Sequence, residues 1–253
     1  MLSPLTPGSL SGTRALITGS SRGIGAQTAT FLAAAGAQVV INYRSKAARA
    51  DKLVAQLAEQ GGQAVAVAAD LTDDASVASM FALIREQLGG LDLLVLNASG
   101  GMEQGAAADY AMQLNRDAQV RVLRTALPLM AAGSRVVFVT SHQAHFIATA
   151  RTMPQYEVVA RSKRAGEDAL RALIPELDAA GIGFVVVSGD MIEGTITATL
   201  LERSNPGVLA ARKEAAGRLY DVPEFAAEVA LAAVEPVPAD HTRYVGDISS
   251  FTN

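Results

Sequence analysis

The chain has 253 residues, 50% of them hydrophobic, a formal net charge of −4 and no cysteine. Its length and apolar content are enough for one large core, and the lack of Cys excludes disulfides, thiol nucleophiles and cysteine metal sites. Without a dominant basic patch we expect no nucleic-acid partner. No apolar run reaches the length of a membrane span, and the N-terminus does not resemble a signal peptide, so we expect a cytoplasmic protein.

Apolar runs and helical patterns alternate along the whole chain, as in a parallel sheet covered by helices. The predicted strands cover residues 14–18, 38–43, 64–69, 91–96, 135–140, 182–187 and 243–245. The predicted helices cover residues 26–35, 46–60, 73–88, 106–130, 158–180, 195–201, 207–219 and 223–234. No linker or low-complexity tract interrupts the pattern, which therefore predicts one domain over residues 1–253.

A glycine-rich loop, residues 18–25, joins the first predicted strand to the first predicted helix. Gly19 permits a tight turn, while Gly23 and Gly25 let the backbone approach a pyrophosphate and let the helix pack on the strand. The first N–H groups of the helix have no internal partner and can face an anion. The loop alone is weak evidence, because a simple helix-capping turn explains it equally well.

Polar residues or glycines follow six of the predicted strands. In parallel sheets, ligands bind beyond the carboxyl ends of the strands, so these residues are candidates for one binding site. They are the loop at Thr18, Asn42-Tyr43-Arg44, Asp70-Leu71, Asn97-Ala98-Ser99-Gly100, Ser141 and Ser188-Gly189-Asp190. Six such groups at the same edge make a binding site a better interpretation than chance.

Three later features complete this set: Asn115 inside a long helix, the stretch from Arg161 to Gly166 around Lys163, and the segment from Gly189 to Thr195. Together with the glycine loop and the strand ends, they resemble the motifs of the short-chain dehydrogenase/reductase family over nearly the whole chain. Three departures are that Leu96 replaces the first Asn of an Asn-Asn-Ala-Gly segment, that Ser99 is an extra residue in it, and that Ser188 replaces a Pro. The resemblance implies a single Rossmann domain, a doubly wound parallel sheet of about seven strands with helices on both faces.

The resemblance also implies roles for individual residues. The expected cofactor-binding residues are Gly19, Ser21, Arg22, Gly23, Ile24, Gly25, Arg44, Asp70, Leu71, Asn97, Ala98, Lys163, Gly189 and Thr195. The expected catalytic residues are Ser141, Tyr156, Lys163 and Asn115. A substrate lid is expected at about residues 190–220, together with a homodimer or homotetramer. The expected substrate is a small carbonyl compound or alcohol, and no metal site is expected.

The end of the second strand favours NADP(H) over NAD(H). An NAD-binding protein usually ends this strand on an acid that binds the ribose 2′-hydroxyl, but here the strand ends at Asn42-Tyr43-Arg44. Arg22 and Arg44 offer two guanidinium groups to a 2′-phosphate. The alternative is that both arginines are only solvated.

The spacing of the expected Tyr and Lys departs from the family. The resemblance implies a proton relay in which a Lys lies four residues after the catalytic Tyr and lowers its pKa. Here the residue four before Lys163 is Val159, and the nearest tyrosine, Tyr156, lies seven before it. In a regular helix that separation is about 10 Å along the axis.

Three interpretations of this spacing remain open. In the first, Tyr156 acts because the segment that begins at Pro154 is not yet regular helix. In the second, His142, His145 or water donates the proton. In the third, the protein binds NADP(H) but has lost the reductase chemistry, and serves as a sensor or assembly subunit.

Apolar residues in the predicted lid favour an apolar ligand, although packing against the core explains them equally well. They are Met191, Ile192, Ile196, Leu200, Leu201, Val208 and Leu209.

Overall fold

The structure is a computed structural model that describes residues 3–103, 105 and 107–252. Its centre is a sheet of seven strands in the order β3-β2-β1-β4-β5-β6-β7, and every neighbouring pair is parallel. The strands are β1 Arg14–Ile17, β2 Gln38–Tyr43, β3 Gln63–Ala68, β4 Leu91–Leu96, β5 Met130–Ser141, β6 Gly183–Gly189 and β7 Thr242–Val245. The predicted doubly wound parallel sheet is confirmed.

Helices connect successive strands. They are α1 Gly23–Ala34, α2 Ala47–Glu59, α3 Asp74–Leu88, α4 Tyr110–Met112, α5 Ala118–Ala126, α6 His142–His145, α7 Glu157–Arg171, α8 Ile174–Ala179, α9 Ile196–Ser204, α10 Val208–Ala216, α11 Val222–Ala232 and α12 Ser249–Thr252. None of the helices in the described part of the chain has the length and apolar character needed to cross a membrane.

Apolar cores lie on both faces of the sheet. Along β1, Ala15 and Ile17 belong to one core cluster, and Leu16 between them belongs to the other. Since side chains alternate between the faces of a strand, both faces of β1 are buried. Phe225 and Phe184 are among the largest fully buried side chains, one in each cluster. Burial of such a side chain contributes roughly 1.5–3 kcal/mol to folding.

The helix predicted over residues 106–130 is shorter and less regular than expected. Ala106 lies outside the described residues, and helical structure begins at Tyr110. A π-helical segment, Gln113–Asp117, joins α4 to α5, and the 3-10 turn Leu127–Leu129 follows α5. Pro128 has no N–H to continue the α-helical ladder, and β5 already begins at Met130, five residues before the predicted start.

The helix predicted over residues 158–180 is two helices. α7 ends at Arg171 and α8 begins at Ile174, with Pro175 in its first turn. A proline lacks the amide hydrogen that would bond to the carbonyl of Arg171, and its ring clashes with that carbonyl in a continuous helix. The two short helices α6 and α12 were not predicted either.

Candidate active site

A cleft of about 570 Å³ lies along the carboxyl ends of the strands. It brings together residues that are far apart in the sequence. Of the predicted site residues, those that line it are Gly19, Ser21, Arg22, Gly23, Ile24, Gly25, Arg44, Asp70, Leu71, Asn97, Ala98, Ser141, Tyr156, Lys163 and Thr195.

Two predicted site residues do not line this cleft. A Cβ on Gly189 would come within 2.3 Å of the Phe225 ring, so that glycine serves close packing. Asn115 is buried in the π-helical segment, where its Nδ2 donates to Gly100 O at 2.8 Å and to Ser162 Oγ at 2.9 Å. Its Oδ1 accepts a 3.2 Å hydrogen bond from Gly100 N. Asn115 therefore holds the segment after β4 onto α7 from behind the cleft.

The glycine loop is fixed by hydrogen bonds to β2 and to the end of β4. Asn42 Oδ1 accepts a 3.0 Å hydrogen bond from Gly19 N, and Asn97 Nδ2 donates to Thr18 O at 2.9 Å. A Cβ on Gly25 would lie only 2.6 Å from Asn97 Nδ2, so helix and strand end approach closely there. Gly19 and Gly23 have φ values of +62° and +58°, which glycine adopts without strain. Asn42 was predicted to follow a strand, but not to anchor this loop.

The loop fits a dinucleotide phosphate. A Cβ on Gly23 would meet no atom within 4 Å, so the missing side chain leaves the cleft open there. No side chain among the described residues caps the first turn of α1, which leaves its N–H groups to a ligand. Arg22 and Arg44 are both exposed at the cleft wall and supply the positive charge that a phosphate needs.

Asp70 lies at the same end of the cleft. Its Oδ1 accepts hydrogen bonds from Thr72 N at 2.9 Å and from Thr72 Oγ1 at 2.7 Å. Burial tends to raise the pKa of Asp70, but these hydrogen bonds and the charge of Arg44 outweigh it and lower that pKa. The carboxylate is therefore an ionised acceptor at neutral pH.

At the other end of the cleft, Ser141 and Tyr156 meet. Ser141 ends β5, and its Oγ lies 3.2 Å from Tyr156 Oη. Tyr156 is not in regular α-helix, because it ends the 3-10 turn Pro154–Tyr156 that precedes α7. Its side chain is 5% exposed, and burial raises its pKa while the hydrogen bond with Ser141 lowers it in part. Val159, four residues before Lys163, is a buried apolar residue.

Lys163 lies on α7 and is 9% exposed. Burial lowers the pKa of its ammonium to about 8, although the carboxylate of Glu167, one helical turn further on, acts in the opposite direction. A lysine in this state is still mostly charged at pH 7 and is ready to bind a hydroxyl or to stabilise a nearby anion.

The two histidines proposed as alternative proton donors do not line the cleft. His142 is fully buried, with Nδ1 2.8 Å from Ser188 Oγ and Nε2 3.1 Å from Val245 O. Burial lowers its pKa to about 4, so it is neutral at pH 7. His145 Nδ1 lies 2.8 Å from Glu167 Oε1. This placement argues against either histidine as the donor to a substrate in the cleft.

Gln143 is a cleft residue that the sequence did not indicate. It lies two residues after Ser141, and its Oε1 accepts hydrogen bonds from Thr152 Oγ1 at 2.5 Å and from Met153 N at 3.4 Å. Met153 immediately precedes the turn that carries Tyr156. No sequence pattern links positions 143 and 153, because the connection depends on how the intervening loop folds back.

An ion pair that the sequence did not indicate holds the predicted lid segment against the sheet. Arg212 of α10 binds Asp190, just after β6, at 2.7 Å, and both side chains are largely buried. Arg212 Nη1 also donates to Ser250 Oγ at 2.8 Å, and the guanidinium lies 4.7 Å from the centre of the Phe251 ring. α10 is thus connected both to the sheet and to the C-terminal helix.

The apolar residues of the predicted lid line the cleft, pack into a buried core, or do both. Those that line the cleft are Met191, Ile192, Ile196 and Leu201. Val208 and Leu209 instead pack against a buried cluster that contains Tyr156, and Leu200 is not on the cleft wall. Of the residues on the cleft wall, Met191, Ile192 and Leu201 also belong to buried core clusters, and the preference for an apolar ligand stays a prediction.

The fold and the cleft define a dinucleotide-binding α/β protein, and comparisons with known proteins are more specific. The family model for short chain dehydrogenase matches residues 13–205. The short chain dehydrogenase/reductase nsrJ of Aspergillus novofumigatus is 34% identical over 204 residues, which cover 78% of this chain and 74% of that protein. Several other curated relatives are matched over less than two thirds of their own length.

Solved structures that resemble this chain point to the same family. A short chain dehydrogenase from Burkholderia cenocepacia in complex with NADP has a TM-score of 0.76 and 29% identity, with 89% of this chain and 91% of that chain covered. The angucycline C-6 ketoreductase LanV with bound NADP has a TM-score of 0.74 and 27% identity, with 91% and 92% covered. The chain belongs to the short-chain dehydrogenase/reductase family and is an oxidoreductase of that type.

Proposed function

We propose that this NADP(H)-dependent oxidoreductase is a carbonyl reductase or alcohol dehydrogenase in which Tyr156 exchanges the proton with the substrate oxygen. One observation carries the proposal: Tyr156 Oη lies 3.2 Å from Ser141 Oγ, on the wall of the cleft that Lys163 also lines. A hydroxyl pair at this separation can hold one carbonyl oxygen between its two donors.

The cofactor is NADP(H), in agreement with the bound NADP of the two structural neighbours and with the basic end of β2. When bound, NADPH supplies the hydride. The residues that would hold its phosphates are those of the glycine loop, with Arg22 and Arg44 toward the 2′-phosphate, and Asp70 would accept from the adenosine portion.

Three side chains have separate roles in the rest of the proposed reaction. Ser141 Oγ donates a hydrogen bond to the substrate oxygen and polarises the carbonyl. Tyr156 Oη gives its proton to that oxygen in reduction, or takes it back in oxidation. An unperturbed tyrosine titrates near ~10, and burial raises the pKa of Tyr156 while the hydrogen bond with Ser141 lowers it in part. We assign to Lys163, which lines the same cleft and is mostly charged at pH 7, the role of favouring the tyrosinate against burial.

We relate the unusual spacing to the 3-10 turn that carries Tyr156. In regular α-helix, Tyr156 and Lys163 would be about 10 Å apart along the axis. Tyr156 lies outside the regular helix, in the 3-10 turn Pro154–Tyr156 before α7, and its hydroxyl contacts Ser141. This supports the first of the three interpretations, and no comparison favours the non-catalytic alternative. Asn115 then contributes as a structural support, since both ends of its amide are bonded within the protein.

The substrate is a small molecule, and apolar residues form much of the wall beside Ser141 and Tyr156. LanV is named a ketoreductase and holds NADP, which supports ketone reduction in this chain. The homodimer or homotetramer, the single domain over residues 1–253 and the cytoplasmic location stay predictions.

The test is Tyr156→Phe, which removes the hydroxyl and keeps the ring. We expect NADPH consumption with a panel of ketones to fall by roughly 100-fold or more, because general acid catalysis contributes about that factor. The affinity for NADPH should stay within twofold. Tyr244→Phe is the matched control, because Tyr244 Oη contacts His145 away from the cleft. Turnover that survives Tyr156→Phe would remove Tyr156 from the mechanism.

A further inference from the structure

An aromatic side chain holds Arg44 at the basic end of the cleft. Arg44 Nη1 donates a 2.6 Å hydrogen bond to Tyr110 Oη, and the guanidinium carbon lies 5.8 Å from the centre of the Tyr110 ring. Arg44 follows β2, whereas Tyr110 begins α4, so the contact joins two different elements. Both side chains line the cleft. The pair is therefore placed where a ligand can reach it.

Within the described part of the chain, no group accepts the hydroxyl hydrogen of Tyr110. Because Oη accepts from Arg44, its own hydrogen is available to an acceptor in the cleft. Burial raises the pKa of Tyr110, with Glu103 and Asp70 adding to the rise and Arg44 opposing it. The hydroxyl therefore keeps its proton at neutral pH.

Fixing Arg44 in advance reduces the cost of binding. A free arginine side chain has considerable rotamer entropy, part of which is lost when it binds a ligand. Contact with the hydroxyl and the ring removes part of that freedom before the ligand arrives. A guanidinium and a hydroxyl held side by side then offer several donors to one phosphate group.

We propose that Tyr110 is a positioning residue for the 2′-phosphate of NADP(H), holding the Arg44 guanidinium and donating its own hydroxyl hydrogen to the same phosphate. This inference rests on the proposed placement of that phosphate at Arg44. It makes the discrimination between NADP(H) and NAD(H) depend on α4 as well as on the end of β2.

The experiment measures dissociation constants of NADPH and NADH by isothermal titration calorimetry, without any substrate. Tyr110→Phe keeps the aromatic ring beside the guanidinium. It should weaken NADPH binding about fivefold, which corresponds to the loss of one hydrogen bond. Tyr110→Leu also removes the ring and should weaken NADPH about 20-fold. The dissociation constant of NADH should change by less than twofold in both variants, because NADH lacks the 2′-phosphate. Tyr220→Phe is the control, since the Tyr220 ring lies 4.2 Å from the guanidinium carbon of Arg218 but does not line the cleft.

Two results would overturn the inference about Tyr110 and leave the proposed placement of the phosphate standing. One is an equal loss of NADPH and NADH affinity, which a general distortion of the cleft would produce. The other is unchanged NADPH affinity in both Tyr110 variants while the wild type still prefers NADPH. A wild type that binds NADH as tightly as NADPH would overturn the phosphate placement itself, and the role of Tyr110 with it.

Discussion

The two ends of the cleft are built differently. At the cofactor end, the glycine loop is shaped by short backbone contacts, and its charged groups, Arg22 and Arg44, are exposed. At the catalytic end, the ionisable groups are buried: Tyr156 and Lys163 are less than a tenth exposed, and Glu167 beneath them is fully buried. The proposed cofactor end therefore offers shape and exposed charge, while burial at the proposed catalytic end shifts proton affinities.

The largest effect should come from a glycine at the catalytic end. A Cβ on Gly166 would lie 2.0 Å from the backbone oxygen of Asn115, where α7 crosses the π-helical segment. Neither backbone can move without breaking its own hydrogen bonds, so we expect Gly166→Ala to lower the free energy of unfolding by about 3 kcal/mol. Urea denaturation measures this change. The exposed Arg161→Ala on the same helix is the control.

The corresponding glycine at the cofactor end should behave differently. A Cβ on Gly25 would meet Asn97 Nδ2, a side-chain atom, at 2.6 Å and Ser20 Cα at 2.9 Å. Gly25→Ala should therefore shift the phosphate loop and reduce NADPH affinity more than it reduces stability. If Gly25→Ala and Gly166→Ala changed stability and affinity in the same proportion, the contrast between the two ends would be wrong.

This contrast also explains what the sequence predicted well. The strands, the loop from Thr18 to Gly25 and the groups after the strands depend on local patterns of apolar residues and glycines. Their bounds agree with the structure to within a few residues, apart from the early start of β5. The basic residue at the end of β2 could be predicted for the same reason, since Arg44 directly follows the strand.

The catalytic end was less predictable because its contacts are remote in sequence. The distance between Tyr156 and Ser141 depends on a 3-10 turn, and the fixed position of Asn115 depends on Ser162 and Gly100. Side-chain pairs such as Asp190 with Arg212 have no signature in spacing. Tertiary contacts of this kind determine the positions of side chains, which secondary-structure propensity does not determine.

A smaller effect should be a loss of folding stability at acid pH, caused by His142 next to the catalytic end. The folded-state pKa of His142 is about 4, below its usual value near ~6.5, because burial disfavours the charged ring. Since the unfolded chain binds more protons between these values, stability is lost as pH falls from 6.5 toward 4. At pH 5 the loss from this residue is about 2 kcal/mol.

Urea denaturation of wild type and His142→Gln at pH 7.5, 6 and 5 measures this dependence. The variant should be less stable at pH 7.5, because it disturbs the bonds to Ser188 and Val245, but should lose less stability on acidification. His241→Asn is the control; His241 has a φ of +57°, which Asn tolerates. Equal slopes for wild type and His142→Gln would contradict a buried neutral histidine.

The smallest effect tests whether the catalytic end depends on the fold of its loop. Gln143→Met keeps the approximate size of the side chain but loses the oxygen that accepts from Thr152 and Met153. We expect kcat to fall about tenfold, since the one or two lost hydrogen bonds are worth roughly 0.5–1.5 kcal/mol each and hold the turn that carries Tyr156. NADPH affinity should not change, because the cofactor end has no share in this contact. Gln143→Glu, which keeps an acceptor oxygen, should recover most of the loss. If the Met and Glu variants lost activity equally, or if NADPH affinity fell as well, the position of Tyr156 would not depend on this acceptor.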